Sequence, residues 1–237
     1  MPRAALFDLD DTLFDHRRSA GAALAHVHQV FAPSAAFDAF ERHHTRYLEE
    51  MHIEVLAGRI DLDDARRERF RRVFRALGLE MTDQQTGEAA AAYRSGYLVA
   101  RTAMEGAVEL LAAVHTRARV AVVSNNLLEE QRDKLQFCKL DGFVDALVVS
   151  EDVGISKPDP RIFHVALERL GIAARDAVMV GDSWANDIAG ARAAGIRAVW
   201  FNPLGEPKPT GGAFDDVEEI ASLWPTQQTL RVLFPDG

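Results

Sequence analysis

The 237-residue sequence has little cysteine, no long apolar run and fewer basic than acidic residues. Cys138 is the single cysteine of the sequence, which excludes a disulfide within the chain and favours a reducing, cytoplasmic location. No apolar run reaches the ~20 residues that a membrane-spanning helix requires. Because a strand is predicted to begin at Ala4, we also expect no secretory signal.

Acidic residues outnumber basic ones, with 36 Asp and Glu against 27 Lys and Arg and a net charge of −9. A surface that binds nucleic acid would have to work against this charge, so nucleic acid is not an expected partner. Apolar residues make up 48% of the chain, enough for a packed core. The length fits one large domain or a core domain with an insertion.

The most informative stretch lies near the amino-terminus, where the apolar run from Ala4 to Phe7 is followed by Asp8, Asp10 and Thr12. A short run that is apolar throughout predicts a strand buried on both faces. Open α/β sheets bind ligands at the carboxyl ends of their strands, so these carboxylates are expected to face a crevice. Like charges this close need a cation or a shared proton. A strand that ends in an Asx-type turn is the alternative.

Residues 15–101 are predicted to be almost wholly helical. Four helices are expected, from Ser19 as N-cap to Phe31, from about Ala35 to Ala57, from Asp61 to Gly78, and from a Thr82/Gln85 capping box to near Val99. An all-helical block of this size after a first strand predicts a separate cap domain. The arginines between Arg66 and Arg75 are predicted to form a solvated helix face, with a phosphate contact by one of them as the alternative.

From Met104 onwards, predicted helices and strands alternate. Strands are expected at 119–123, 146–149, 177–180 and 198–201, and helices at 106–115, 128–137, 159–171, 186–194 and 215–223. Residues 203–212 are predicted to form a loop, and 224–237 have no assignment. Alternation of this kind predicts a mainly parallel sheet with helices on both faces. The expected fold is therefore α/β, a Rossmann-like core of residues 1–14 and 102–237 with an all-α cap, 15–101, inserted after the first strand.

Two further polar motifs lie at the ends of predicted elements. One follows the second predicted strand, and the other precedes the helix predicted at 159–171. Ser124 and Asn125 follow residues 119–123, where a hydroxyl and backbone N–H groups suit phosphate oxygens. Helix capping is the alternative for these two residues. Lys157 lies in the sequence Gly-Ile-Ser-Lys-Pro-Asp-Pro, whose prolines fix where the side chain emerges. Its ammonium could neutralise a carboxylate and phosphoryl oxygens together.

A second acidic group follows the strand predicted at 177–180. Gly181 permits a tight exit from the strand, Asp182 projects from its end, and Asp187 lies at the start of the next helix. Magnesium prefers a few carboxylates together with water and substrate phosphate. We expect Asp182 to bind the metal directly and Asp187 to hold a metal-bound water or orient its neighbours. Helix capping by Asn186 or Asp187 is the alternative.

In this order, the four motifs resemble those of the haloacid dehalogenase-like (HAD) hydrolase superfamily, in members with an all-helical cap between the first and second motifs. The resemblance implies that Asp8 is the nucleophile and Asp10 the general acid/base. It implies that Ser124, Asn125 and Lys157 bind phosphate or stabilise charge. The further implications are Mg²⁺ binding by the Asp8 carboxylate, the Asp10 backbone carbonyl and Asp182, with Thr12 and Asp187 in supporting roles.

The resemblance also implies an activity. It favours an Mg²⁺-dependent phosphomonoester hydrolase that acts on a small phosphorylated metabolite, a nucleoside 5′-monophosphate or a sugar phosphate, through an aspartyl phosphate. A haloacid dehalogenase uses the same nucleophile but needs neither the metal nor a second acid. A phosphomutase on the same core is a further alternative. A phospho-accepting regulatory module is the non-enzyme alternative, although such modules are smaller and have no cap. Monomer and homodimer are both open.

The predicted cap is expected to control access and specificity. The stretch from Leu56 to Phe70 resembles caps of bacterial nucleoside 5′-monophosphate phosphatases. Candidate substrate contacts are His16, His43, His44, Arg46 and Tyr47, with surface exposure as the alternative for the histidines.

Overall fold

The computed structural model describes residues 2–209 and 215–235. The chain divides into two compact units. The sheet unit consists of Met1–Asp15 and Thr102–Gly237, and the helical unit consists of His16–Arg101.

Six parallel strands form the sheet in the described part of the sheet unit. They are β1 (Ala4–Phe7), β2 (Arg119–Ser124), β3 (Ala146–Val149), β4 (Ala177–Gly181), β5 (Arg197–Phe201) and β6 (Glu218–Ile220). Their order is β3-β2-β1-β4-β5-β6, and every neighbouring pair is parallel. This confirms the predicted α/β, Rossmann-like sheet. The strand order reverses at β1, which lies between β2 and β4, and such switch points are where open α/β sheets bind ligands.

Four helices make up the helical unit over its described residues. They are α1 (His16–Phe31), α2 (Phe37–Leu56), α3 (Leu62–Ala76) and α4 (Asp83–Ala100). The Asp61 side chain caps α3 by accepting from the backbone N–H groups of Asp63 and Asp64. The predicted capping box between Thr82 and Gln85 is present at the start of α4. The local signals at these two helix starts were therefore sufficient to place them.

The first helix begins earlier than predicted. Helix α1 starts at His16, so the assignment of Ser19 as its N-cap is wrong. Ser19 is buried, and its hydroxyl donates to the backbone oxygen of Ala100 at 3.3 Å. The hydroxyl therefore bonds to the end of α4. This contact joins two helices and cannot be predicted from the sequence around Ser19.

The helical unit has a core of its own. Phe40 of α2, Phe70 and Phe74 of α3, and Tyr93 of α4 pack with ring centroids 5.6 to 6.5 Å apart. All four side chains are buried. A unit with its own core can hold its shape independently, and its role as a cap stays a prediction.

The remaining helices belong to the sheet unit. They are α5 (Ala107–His115), α6 (Leu128–Phe137), α7 (Ser150–Val153), α8 (Pro160–Leu170), α9 (Ala189–Ala193) and α10 (Thr226–Leu233). Asp159 caps α8 and Gly171, at φ +68°, ends it, as predicted. Among the described residues, no helix combines the length and the apolarity needed to cross a membrane.

The carboxyl-terminal part of the chain differs from the prediction. Residues 215–223 were predicted to form a helix, but residues Glu218–Ile220 form strand β6, which pairs with β5. Strand β6 lies at the edge of the sheet and has a neighbouring strand on one side only. Its two glutamates are exposed, so the sequence lacks the apolar pattern that predicts a strand. The unassigned segment contains α10, and the predicted loop 203–212 runs past Pro209 into residues outside the described ranges.

The helix predicted to start at Asn186 also starts earlier. A π-helical turn covers Trp184–Ile188 before α9 begins. The Ser183 hydroxyl accepts from the backbone N–H of Asn186 at 3.3 Å, so Ser183 is the cap. The alternative of a cap formed by Asn186 or Asp187 is therefore wrong.

Candidate active site

Asp8 lies one residue beyond the carboxyl end of the central strand β1. Its backbone N–H donates to the oxygen of Val180 in β4 at 2.9 Å, which fixes where the residue emerges. Its side chain is almost completely buried. Because Phe7 pairs with both Val122 and Val180, the ends of β2 and β4 lie on either side of Asp8. The fold thus places this carboxylate at the point where the strand order reverses.

Lys157 binds two carboxylates at once. Its Nζ donates to Asp8 Oδ1 at 2.5 Å and to Asp187 Oδ1 at 2.6 Å. The Lys157 side chain is only 3% exposed, so both ion pairs are shielded from water. The structure therefore brings the first, third and fourth motifs together around one ammonium group.

The Asn125 side chain holds the backbone of Lys157. Its Oδ1 accepts from the Lys157 N–H at 2.7 Å, and its Nδ2 donates to the Lys157 oxygen at 2.8 Å. This reciprocal pair links the second motif to the third and fixes the base of the Lys157 side chain. Ser124, at the end of β2, is buried, and its Oγ accepts from Gln131 Nε2 at 3.0 Å. Phosphate binding by Ser124 and Asn125 stays a prediction.

Thr12 joins the first motif to the fourth. Its fully buried hydroxyl accepts from the Asp182 N–H at 3.1 Å and contacts Asp8 Oδ2 at 3.5 Å. The backbone oxygen of Asp182 accepts from Trp200 Nε1 at 2.8 Å. The backbone of Asp182 is therefore held from both sides, as a supporting role for Thr12 requires.

Asp187 is fully buried and is held by two donors. Besides Lys157, the Ser183 N–H donates to its Oδ2 at 3.0 Å. The side chain lies directly against Gly181, where an added Cβ would be 2.4 Å from Asp187 Cγ. The glycine at the end of β4 is thus required by the close approach of Asp187.

Three carboxylates are arranged so that they could hold a metal ion. Oxygen atoms of Asp8, Asp182 and Asp187 all lie within 4.8 Å of one another. Hard divalent cations such as Mg²⁺ take oxygen ligands of this kind. With Lys157 as the neighbouring cation, the cluster keeps an excess of negative charge that a divalent cation would offset. The donor set fits Mg²⁺, and the predicted contact through the Asp10 carbonyl stays a prediction.

Burial and neighbouring charges shift the pKa values of Asp8 and Lys157. Burial raises the pKa of Asp8 well above its ordinary value; Lys157 opposes this, whereas Asp187 and Asp182 add to it. Burial alone would lower the pKa of Lys157, but Asp187 and Asp8 raise it above its ordinary value. Lys157 is therefore a permanent cation, and a second cation at the cluster would favour the ionised form of Asp8.

The Asp10 carboxylate contacts three side chains from the segment that follows β2. Lys134 Nζ donates to its Oδ1 at 2.5 Å. Gln131 Nε2 and Asn126 Nδ2 donate to its Oδ2 at 2.9 and 3.1 Å. Gln131 Nε2 also donates to Ser124, so one amide connects the Asp10 carboxylate with the end of β2. The predicted acid/base residue is thus held in place by α6 and the loop before it.

Gln131 and Lys134 are site residues that were not predicted from the sequence. Both are buried, at 0% and 4% exposure, in a helix whose sequence is mostly polar. Residues three positions apart share a helix face, so the Gln-x-x-Lys spacing was the available signal. In a helix with charged residues at half of its positions, that face cannot be distinguished from a solvated one.

The candidate contacts on the helical unit have different environments. His44 is buried at 3% exposure, so the surface alternative is wrong for it. His43 stacks on Tyr47, and exposed Arg46 pairs with Glu50. His16 Nδ1 lies 3.0 Å from the Tyr97 hydroxyl. Substrate contact by these residues stays a prediction.

The arginines of α3 do not all lie on the solvated face that was predicted for them. Arg69 is buried at 6% exposure. Others pair with carboxylates: Arg66 with Asp63, Arg67 with Asp64, Arg71 with Glu68 and Asp83, and Arg72 with Glu68 and Glu50.

Residues 2–195 match the family model of the haloacid dehalogenase-like hydrolases. The chain belongs to this family. The match covers most of the chain, including all four motifs, and confirms the resemblance stated from the motifs. The matched range includes the segments that meet around Lys157 in the structure.

Individual relatives agree with this assignment. The chain is 32% identical over 227 residues to ribulose-1,5-bisphosphate 5-phosphatase of Halopiger xanaduensis, with 90% of each chain covered. It is 36% identical over 130 residues to pyrimidine 5′-nucleotidase YjjG of Escherichia coli, which is 54% of this chain and 57% of YjjG. The chain thus matches little more than half the length of YjjG.

A solved structure shows the same fold. The HAD-hydrolase YfnB of Bacillus subtilis, crystallised with magnesium, superposes with a TM-score of 0.76 over 98% of each chain, at 24% identity. At this identity, the likeness is one of fold alone.

The contact between Gly181 and Asp187 predicts a strong steric effect. Gly181→Ala should lower the free energy of unfolding by about 1–3 kcal/mol, because the new methyl group overlaps a buried carboxylate that cannot withdraw without breaking its bonds to Lys157 and Ser183. Urea denaturation measures the change. Gly142→Ala is the matched control, since nothing lies within 4 Å of its added Cβ. Equal stability of the two variants would contradict the crowding at Gly181.

The pair between Asp10 and Lys134 predicts energetic coupling. A double-mutant cycle of Asp10→Asn and Lys134→Met measures this coupling. The change in unfolding free energy of the double variant should differ by about 0.5–3 kcal/mol from the sum of the two single changes, since each single change leaves the other group without its charged partner. Denaturant unfolding of the four proteins gives the coupling. Additivity within about 0.3 kcal/mol would mean that the ion pair contributes nothing.

Proposed function

We propose that this chain is an Mg²⁺-dependent phosphoric monoester hydrolase that acts on a small phosphorylated metabolite through an aspartyl phosphate on Asp8. The observation that carries the proposal is the position of Asp8, buried at the switch point of the sheet and bonded to Lys157. The carboxylates of Asp182 and Asp187 beside it supply a site of the kind that Mg²⁺ takes. Membership of a hydrolase family supports the reaction class.

In the proposed first step, an oxygen of the Asp8 carboxylate attacks phosphorus. The bond from phosphorus to the ester oxygen breaks, and the leaving oxygen takes the proton of Asp10, which enters this step as the neutral acid. In the second step, water attacks the same phosphorus, Asp10 takes a proton from that water, and the bond to Asp8 breaks. Phosphate leaves, and both carboxyl groups return to their starting states.

The proposed attack requires cations beside Asp8. An anionic nucleophile and an anionic phosphoryl group repel each other unless cations lie beside them. Lys157 supplies one fixed cation, which Asn125 positions through the backbone. Magnesium, when bound, supplies the second positive charge. Lys134 positions the side chain of Asp10 through its contact with Oδ1, which is an ion pair when Asp10 is ionised.

The site and the relatives both support the substrate class of this proposal. The acidic cluster favours phosphoryl chemistry over dehalogenation, since a dehalogenase needs neither a metal nor a second acid, and this chain has Asp10, Asp182 and Asp187. Two relatives are named for a nucleotide and a sugar bisphosphate. We propose a small phosphorylated metabolite of these classes as substrate, and a cytoplasmic location from the single, buried Cys138.

Removal of the nucleophile tests the proposal. Asp8→Asn should reduce Mg²⁺-dependent hydrolysis of p-nitrophenyl phosphate by several orders of magnitude, because an amide oxygen is a far weaker nucleophile, while the circular dichroism spectrum stays unchanged. The steady-state release of p-nitrophenol measures the loss.

Asp141→Asn is the matched control, since Asp141 is exposed and lies outside the site. It should retain wild-type turnover. Substantial hydrolysis by Asp8→Asn would refute the nucleophile assignment, and wild-type activity that persists in excess chelator would refute the metal dependence.

A further inference from the structure

The helical unit buries an arginine without a counterion. Arg69 of α3 is 6% exposed, and no carboxylate of the described residues pairs with it. Its Nε is buried and has no hydrogen-bond acceptor. Buried cations are ordinarily paired with an anion or coordinated by hydrogen bonds. The other arginines of α3 that are named above have carboxylate partners, so Arg69 differs from its neighbours.

Aromatic rings hold the Arg69 guanidinium in place. Its Cζ lies 4.8 Å from the ring centroid of Tyr93 and 5.4 Å from that of Phe70. Contacts of this kind fix the orientation of the planar group but satisfy none of its N–H donors. The guanidinium is therefore pre-oriented, and its buried Nε–H has no acceptor.

A second unsatisfied polar group lies against the same ring. The His44 ring centroid is 4.9 Å from that of Tyr93, and the residue is 3% exposed. Its Nε2 is buried and has no partner among the described residues. Arg69 from α3 and His44 from α2 thus both contact Tyr93 of α4, and each has an unused nitrogen.

The surrounding charges are positive. Burial lowers the pKa of His44 well below its ordinary value, and the charges of Arg69 and His16 lower it further. Burial also lowers the pKa of Arg69; Tyr93 opposes this, and Arg66 adds to it. An anion placed here would relieve both effects, because it would favour the charged forms.

We propose that the helical unit contains an oxyanion-binding site, in which Arg69 and His44 beside Tyr93 bind the carboxylate or phosphate group of a small molecule. The planar guanidinium suits such a group, since two parallel N–H donors match two oxygens. His44 supplies a further donor in the tautomer that carries its proton at Nε2, the nitrogen that has no partner. The alternative is that Arg69 serves only to pack against Tyr93 and Phe70.

The anion has two chemical sources that an experiment can separate. It is either a second charged group of the molecule that is hydrolysed or a separate small anion. Binding itself is independent of the proposed phosphatase activity, because it is measured without magnesium. Only the choice between the sources rests on that activity.

Binding is tested on the full chain in excess chelator, with sulfate and malonate as probes. In ¹⁵N-labelled protein, the side-chain Nε–Hε signal of Arg69, identified by its loss in Arg69→Lys, should shift saturably with either probe. Each probe should also raise the Tm of the wild type and of the control Arg67→Gln more than that of Arg69→Gln. Arg67 suits this comparison because it lies on the same helix, exposed and paired with Asp64.

An Arg69 signal that does not move, together with equal Tm responses in all three proteins, would overturn the proposal and leave Arg69 as a packing residue. Arg69→Lys keeps the charge and remains informative in the Tm series if Arg69→Gln does not fold. Any sulfate bound in the sheet unit contributes equally to each protein, so the comparison isolates Arg69.

The source of the anion is tested with magnesium and two substrates that differ in one group. 3-Phosphoglycerate carries a carboxylate where glycerol 3-phosphate carries a hydroxymethyl group. If the anion belongs to the substrate, Arg69→Gln should raise KM for 3-phosphoglycerate by about tenfold or more, with kcat and the KM for glycerol 3-phosphate unchanged. If the anion is separate, neither KM changes although the Tm difference persists. If neither compound is hydrolysed although p-nitrophenyl phosphate is, the proposed function stands and the anion is not the carboxylate of a substrate of this kind. Loss of p-nitrophenyl phosphate hydrolysis as well would count against the proposed function. The binding result is intact in both cases.

Discussion

The site depends on one buried ammonium that bonds to two carboxylates from different parts of the chain. Lys157 joins Asp8, at the end of β1, to Asp187, in the turn before α9. Without that cation, the acidic groups at the switch point would repel one another in a region shielded from water. The surrounding contacts position this group: Asn125 holds its backbone, and Gly181 leaves space for Asp187. The position and the charge of the Lys157 ammonium therefore both depend on the four segments that carry the sequence motifs.

The Lys157 ammonium also has a role in the proposed reaction. A carboxylate becomes a useful nucleophile toward phosphate only when nearby cations offset the charge of both reactants. Lys157 is fixed before any substrate arrives, so little reorganisation is needed during the reaction. Asp10, in contrast, is held by Lys134 and Gln131 of α6. The proposed nucleophile and the proposed acid thus depend on different lysines, which lets the two groups be positioned separately.

Much of this arrangement could be predicted from the sequence, and the exceptions have physical causes. The strand before Asp8 and the capping box at Thr82 are local signals, and both were correct. Strand β6 was missed because an edge strand keeps exposed glutamates. The burial of Lys134 and Arg69 was not predicted, because a charged residue in a polar helix looks solvated until the packing of other helices is known. Contacts between distant segments are absent from any local pattern.

The central claim is that Asp8 carries the phosphoryl group during turnover. Rapid mixing of enzyme, magnesium and substrate, a quench, and reduction with borohydride would convert an aspartyl phosphate into homoserine, which mass spectrometry locates in the digested protein. We expect homoserine at position 8 alone, in proportion to the enzyme that was trapped. Unmodified aspartate at position 8 during active turnover, or homoserine at position 10 or 182 instead, would contradict the account.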